Sequence, residues 1–120
     1  MTAPLLRATM ESGQIWHDPS EDLLFELLSD MERSEEQFLV VERLADATGQ
    51  TFAQVARTEA NGYQVEYREG DEDSHFQAFT EDKRLVHSVL TAWAFELPGW
   101  RTALPWALLR STTTGEGGPS

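Results

Sequence analysis

The sequence predicts a single α+β domain, an antiparallel meander sheet of four or more strands packed by two main helices. Three observations point there. Between Thr51 and Thr80, three strand-like stretches are separated by two tight-turn signals, Asn61-Gly62 and Gly70-Asp71-Glu72-Asp73. Stretches with helical spacing of apolar residues flank that segment, at Asp18–Arg33 and Thr80–Leu97. Finally, the two turns agree with each other about which side chains share a face.

Asn61-Gly62 suits a two-residue type I′ loop, which needs positive φ at both central positions. Ala60 then faces Tyr63, Thr58 faces Val65, and Ala56 faces Tyr67. The other face pairs Glu59 with Gln64, Arg57 with Glu66, and Val55 with Arg68. A four-residue loop over Gly70–Asp73 sets Tyr67 opposite Phe76 and Val65 opposite Ala78. It also sets Arg68 opposite His75 and Glu66 opposite Gln77. Side chains alternate with period 2, so a one-residue slip would expose both tyrosines. Each cross-strand pair contributes only about 0.2–1 kcal/mol. The register is therefore expected to rest on burial, at roughly 25 cal/mol per Å² of apolar surface.

Residues 1–17 are compatible with an edge strand over Leu5–Met10, turned at Ser12-Gly13 into Gln14-Ile15-Trp16. Asp18-Pro19-Ser20-Glu21 has the composition of a helix start, with Asp18 as cap, Pro19 at the first helical position and Glu21 closing a capping box. Leu24, Leu27, Leu28 and Met31 form one stripe with Leu23 beside it, while Asp22, Glu26, Asp30 and Glu32 face outward. Phe38-Leu39-Val40-Val41 is continuously apolar and predicts a strand covered on both faces. Ala45–Gln50 is the loop into Thr51. Thr80 can cap the second helix, with Glu81 and Asp82 suited to the helix dipole. Its stripe is Val86, Val89, Leu90, Trp93 and Leu97, and Pro98-Gly99 ends it. This helix is expected across the Tyr63, Val65, Tyr67 and Phe76 face. Trp100–Leu109, broken by Pro105, predicts a short helical turn and an added strand. It is the expected lid for an apolar patch of Val55 and Phe79 beside Phe38 and Val40. Residues 1–110 thus form one domain, and 111–120 (STTTGEGGPS) a flexible tail.

One hundred and twenty residues suffice for one core without staples. With no cysteine there is no disulfide or thiolate chemistry. No apolar run approaches about 18 residues and no signal segment is evident, so a cytoplasmic chain away from membranes is expected. Twenty-one acidic residues against nine basic ones give a net charge of −12. That field repels nucleic acid and anionic membrane and favours a basic protein partner. Solubility alone would also account for it.

Catalytic and metal patterns are weak. His17, His75 and His87 show no i, i+4 pair, which leaves them structural or exposed and predicts no metal or cofactor. The acidic run Glu69-Gly70-Asp71-Glu72-Asp73 lacks the spacing of a calcium loop. It reads as a solvated hairpin tip or as an acidic handle for a partner. Glu66, among Arg57, Arg68 and Gln77, predicts an ion-pair network rather than a general acid. No nucleophile elbow, phosphate loop or nucleotide fingerprint is present, so no enzyme is expected. Trp100 and Trp106 either finish the core or anchor an interface.

The order of several short motifs resembles a known family. Trp16-His17-Asp18-Pro19-Ser20 precedes an acidic helix. Phe38-Leu39-Val40-Val41, Phe52-Ala53-Gln54-Val55 and Val65-Glu66-Tyr67-Arg68 follow, then His75-Phe76, a helix, and Trp100 with Trp106. This order resembles the first-numbered immunity-protein family of bacterial polymorphic toxin systems, over about residues 14 to 109. The resemblance implies an α+β antidote, without catalytic residues, for a co-encoded toxin that often acts on nucleic acid. Such toxins are basic where they bind their substrate. The expected docking residues are Glu69, Asp71, Glu72 and Asp73, with Glu35 and Glu36 on the same rim. The rival reading is a secretion-chaperone-like acidic adaptor. A tight homodimer would favour the adaptor, and a monomer the antidote. A third class, a small-molecule enzyme or binder, would need a polar pocket holding Glu66 and His75.

Overall fold

A computed structural model describes residues 3–33, 37–58 and 62–109. The fold is α+β, as the periodicities require. Seven antiparallel strands form one sheet: β1 (Leu6–Met10), β2 (Ile15–His17), β3 (Phe38–Arg43), β4 (Thr51–Arg57), β5 (Tyr63–Glu69), β6 (His75–Thr80) and β7 (Ala107–Leu108). Their spatial order is β2-β1-β3-β4-β5-β6-β7. Helices α1 (Glu21–Arg33) and α2 (Lys83–Ala94), with the single turn α3 (Trp100–Ala103), complete the domain. Leu24, Leu27, Leu28 and Met31 of α1 and Val86, Val89, Leu90 and Trp93 of α2 are buried in one cluster with Leu39, Val41, Val55, Val65 and Tyr67. Both helices thus lie on the same side of the sheet. No helix among the described residues is long and apolar enough to cross a membrane.

The N-terminal hairpin forms, but β1 is internal and β2 is the edge strand. The cap of α1 shifts from Asp18 to Ser20, whose Oγ accepts from the Leu23 amide at 3.1 Å. Asp18 is used elsewhere. It adopts φ 49°, a region Asp tolerates, and its carboxylate accepts from the Leu5 and Leu6 amides at 2.8 and 3.0 Å. It therefore ties β1 to the entry of α1, and no capping box forms at Glu21. Likewise Asp82, not Thr80, caps α2 by accepting from the amides of Arg84 and Leu85. The helix stops at Ala94, short of Leu97, which is 50% exposed. Leu97 N–H bonds back to Ala92 C=O at 2.8 Å while Glu96 sits at φ 58°. This is a Schellman closure with glutamate where glycine is usual.

The second hairpin has the expected register, with Tyr67 opposite Phe76, Val65 opposite Ala78, Arg68 opposite His75 and Glu66 opposite Gln77. The first does not. Arg57 faces Tyr63, Val55 faces Val65, and Ala53 faces Tyr67. The connection is Thr58–Gly62 rather than a two-residue turn, and Asn61, Ala60 and Glu59 lie outside the described residues. The smallness of Gly62 serves close approach, since a Cβ would lie 3.2 Å from Thr58 Oγ1 and 3.3 Å from the Thr80 carbonyl oxygen. A three-residue shift is odd, so it turns β4 over. Val55 and Ala53 go inward, and Phe52, Gln54 and Ala56 go outward. The burial term decides this, because Val55 becomes fully buried beside Leu39 and Val65.

Arg57 consequently leaves Glu66 and joins a polar clamp under the helices. Its guanidinium lies 5.0 Å from the Tyr63 ring centroid and 3.6 Å from Glu32. The Tyr63 hydroxyl donates to Glu32 Oε2 at 2.6 Å, and Lys83 Nζ donates to Glu32 Oε1 at 2.8 Å. Burial, and then the carboxylate it donates to, push the Tyr63 phenol up to about 12. The hydrogen bonds from Lys83 and then Tyr63 hold Glu32 below its ordinary value.

The C-terminal segment forms the expected turn and strand but covers the other side. Trp100 and Trp106 each stand edge-on to Tyr67 at 4.8 Å between centroids. Trp100 is buried and Trp106 half-buried, so both belong to the core. The predicted lid over Phe38, Val40 and Phe79 is therefore absent among the described residues. Strand β3 is fully buried on one face only, at Leu39 and Val41, with Phe38 and Val40 half-buried on the other. The tail 111–120 lies outside the described residues.

Candidate functional site

The bare face of the sheet carries three rows of side chains, fixed by strand register. The first runs His17, Arg7, Glu42, Phe52, Arg68, His75. The second runs Ile15, Thr9, Val40, Gln54, Glu66, Gln77, and the third runs Phe38, Ala56, Gln64, Phe79. Polarity thus falls from the β5–β6 tip towards the β4–β5 end.

Most polar groups in the first two rows are satisfied by one another. Arg7 pairs with Glu42 at 2.9 Å. Arg68 Nε donates to His75 Nδ1 at 3.0 Å, which leaves the His75 proton on Nε2, 2.6 Å from Glu66 Oε1. The same guanidinium lies 5.5 Å from the Phe52 ring centroid, and its Nη1 donates to Gln50 at 3.0 Å. Both imidazole nitrogens are engaged, so His75 has no lone pair free to take a proton from a substrate. Glu66 is bonded to His75 rather than to the predicted Arg57. The unit orders three strands. The Arg68–His75 opposition follows from the turn over Gly70–Asp73, whereas Phe52 and Gln54 come to this face only with the shifted register of β4.

At the end of this face stands the acidic tip. Gly70 takes φ 91°, and a single 3-10 turn, Glu72–Ser74, closes the hairpin. Asp71 accepts from the Asp73 amide at 2.9 Å and shapes the turn. The side chains of Glu72 and Asp73 are exposed and have no hydrogen-bond or ion-pair partner among the described residues. Glu69 differs. It receives both Nη atoms of Arg101 and so holds α3 to the hairpin. Glu35 and Glu36 lie outside the described residues. Of the expected docking residues, Asp71, Glu72 and Asp73 stand together and exposed, and Glu69 is already paired.

A cleft of about 300 Å³ lies behind the tip, where Arg43 and Arg101 meet Glu69, Glu96, Trp93 and Trp100. Arg43 stacks on Trp93 at 4.6 Å and Arg101 on Trp100 at 4.5 Å. Arg43 lies 3.6 Å from Glu96, and Arg101 is bonded to Glu69. The cleft is electrically balanced and selects no ligand charge. Among the described residues, no group of three or more His, Cys, Asp or Glu side chains is placed to hold a metal ion. Comparison with protein-family models, curated proteins and solved structures finds no match to this chain.

Proposed function

We propose that this chain is an immunity protein, a non-catalytic inhibitor that docks on a basic domain of a co-encoded toxin in the cytoplasm. The observation that carries the reading is the exposed Asp71-Glu72-Asp73 turn at the end of a sheet face that no described helix covers. Those carboxylates add to a net charge of −12 and would steer a basic partner towards that face. The polar groups of the face are tied to one another rather than converging on a cleft, which suits docking better than chemistry. The motif order noted in the sequence supports the toxin-antidote form of protein binding.

The test is the triple variant Asp71→Lys, Glu72→Lys, Asp73→Lys, titrated against the toxin-like C-terminal domain encoded in the adjoining reading frame. The variant is expected to weaken binding about tenfold or more at low salt and to flatten its dependence on ionic strength. Unchanged affinity across salt would remove the tip from the interface.

A further inference from the structure

We infer that the groove at the opposite end of the bare face takes a cationic side chain, arginine or lysine, from the protein partner. The inference rests on the protein-binding reading above and deepens it. The groove encloses about 420 Å³ between Thr58, Gly62, Tyr63, Phe79, Thr80 and Glu81. Phe79 is 57% exposed, the most exposed aromatic side chain among the described residues. Glu81, also exposed, stands at its rim.

The chain's own pattern of cation placement supplies the argument. Arg43 lies over Trp93, Arg57 over Tyr63, Arg68 over Phe52, Arg101 over Trp100, and Lys83 over Phe25. Each of these rings offers its negative face to a cation held nearby. Phe79 has no such cation among the described residues, although it lines an open groove with a carboxylate beside it. A guanidinium or ammonium entering there would meet an aromatic surface for its stem and Glu81 for its charge. With 21 acidic residues against nine basic ones, the chain has few cations to fill the site itself, and a basic partner has many. Along β5 the groove and the acidic tip are about 20 Å apart. One interface of ordinary size, about 800 Å² per partner, spans both.

The test needs no knowledge of the partner. The isotope-labelled full chain is titrated with the peptide acetyl-Gly-Arg-Gly-amide and with its citrulline analogue, and backbone amide shifts are followed. Saturable shifts at Gly62, Thr80 and Glu81 are expected with the arginine peptide and much weaker ones with citrulline. Phe79→Ala and Glu81→Gln, both at exposed positions, should each lower the affinity about two- to fivefold. The triple tip variant should leave these shifts in place. Equal affinity for the two peptides, shifts confined to Asp71–Asp73, or no saturable shift would each overturn the groove. Any of those results leaves the partner-binding reading to its own titration.

Discussion

Replacing Tyr63 with phenylalanine removes one oxygen from the clamp that joins α1, β4, β5 and α2, and its cost can be worked from the contacts. The ring is 1% exposed, and its stack with Arg57 survives the change. What is lost is a 2.6 Å bond to a carboxylate, a class that contributes about 1.5–3 kcal/mol when buried. The Glu32 side chain is 37% exposed and keeps Lys83, so water makes good part of the loss. The expected destabilisation is therefore at the low end, about 1.5 kcal/mol, or about 5–7 °C in Tm for a chain of this length. Urea unfolding followed by the fluorescence of buried Trp93 and Trp100 measures it. The pH dependence is a second signature. The Tyr63 phenol is raised from 10.0 to about 12 in the folded chain. The stability it contributes is fully present below pH 10 and is lost as the pH rises through about 12, by up to about 3 kcal/mol. Glu32 is lowered from 4.5. Its contribution is present above that value and is lost as the pH falls through the lower folded one. The gap between wild type and Tyr63→Phe should thus be widest near neutrality, shrink as the pH falls, and close and then change sign as the pH rises through about 12. A difference below about 0.5 kcal/mol, or one that does not change with pH, would refute the clamp.

Two further substitutions probe the fold. Val55→Ala removes two buried methyl groups and should cost about 2 kcal/mol in urea unfolding. A cost near zero would restore the two-residue turn, in which Val55 faces outward. Glu96→Gly should raise stability by about 1 kcal/mol, because glycine takes the left-handed position without the Cβ penalty. The Arg43–Glu96 pair lost with it is long, at 3.6 Å, and its glutamate is exposed, so it is worth little. A lower Tm would show that this pair or the glutamate backbone matters more.

The sequence was most legible where one energy term dominated. The stripes of α1 and α2 and the β5–β6 register each follow from apolar spacing with no close competitor. The β4–β5 register was misread because Asn61-Gly62 signals a short turn so strongly. A local turn preference is small beside the burial of Val55 and Ala53, and a five-residue connection satisfied the burial. Capping failed for a related reason, since each start held two eligible residues. Asp18 is recruited by the Leu5 and Leu6 amides, 13 and 12 residues away. The bare face was invisible because Trp100 and Trp106 have two apolar surfaces to choose from, and Tyr67 takes both. The acidic tip was readable as a loop, but the pairing of Glu69 with Arg101, 32 residues distant, was not.

Inhibition stoichiometry tests the proposed function most directly. A toxin-like domain, if the neighbouring reading frame encodes one, is held at fixed concentration, well above the dissociation constant, and its activity is measured as this chain is added. Docking without turnover predicts a linear fall to zero activity at one equivalent, shifted to higher additions by the lysine substitutions at Asp71, Glu72 and Asp73. Full inactivation by a small fraction of an equivalent, or full activity in the presence of excess folded chain, would contradict it.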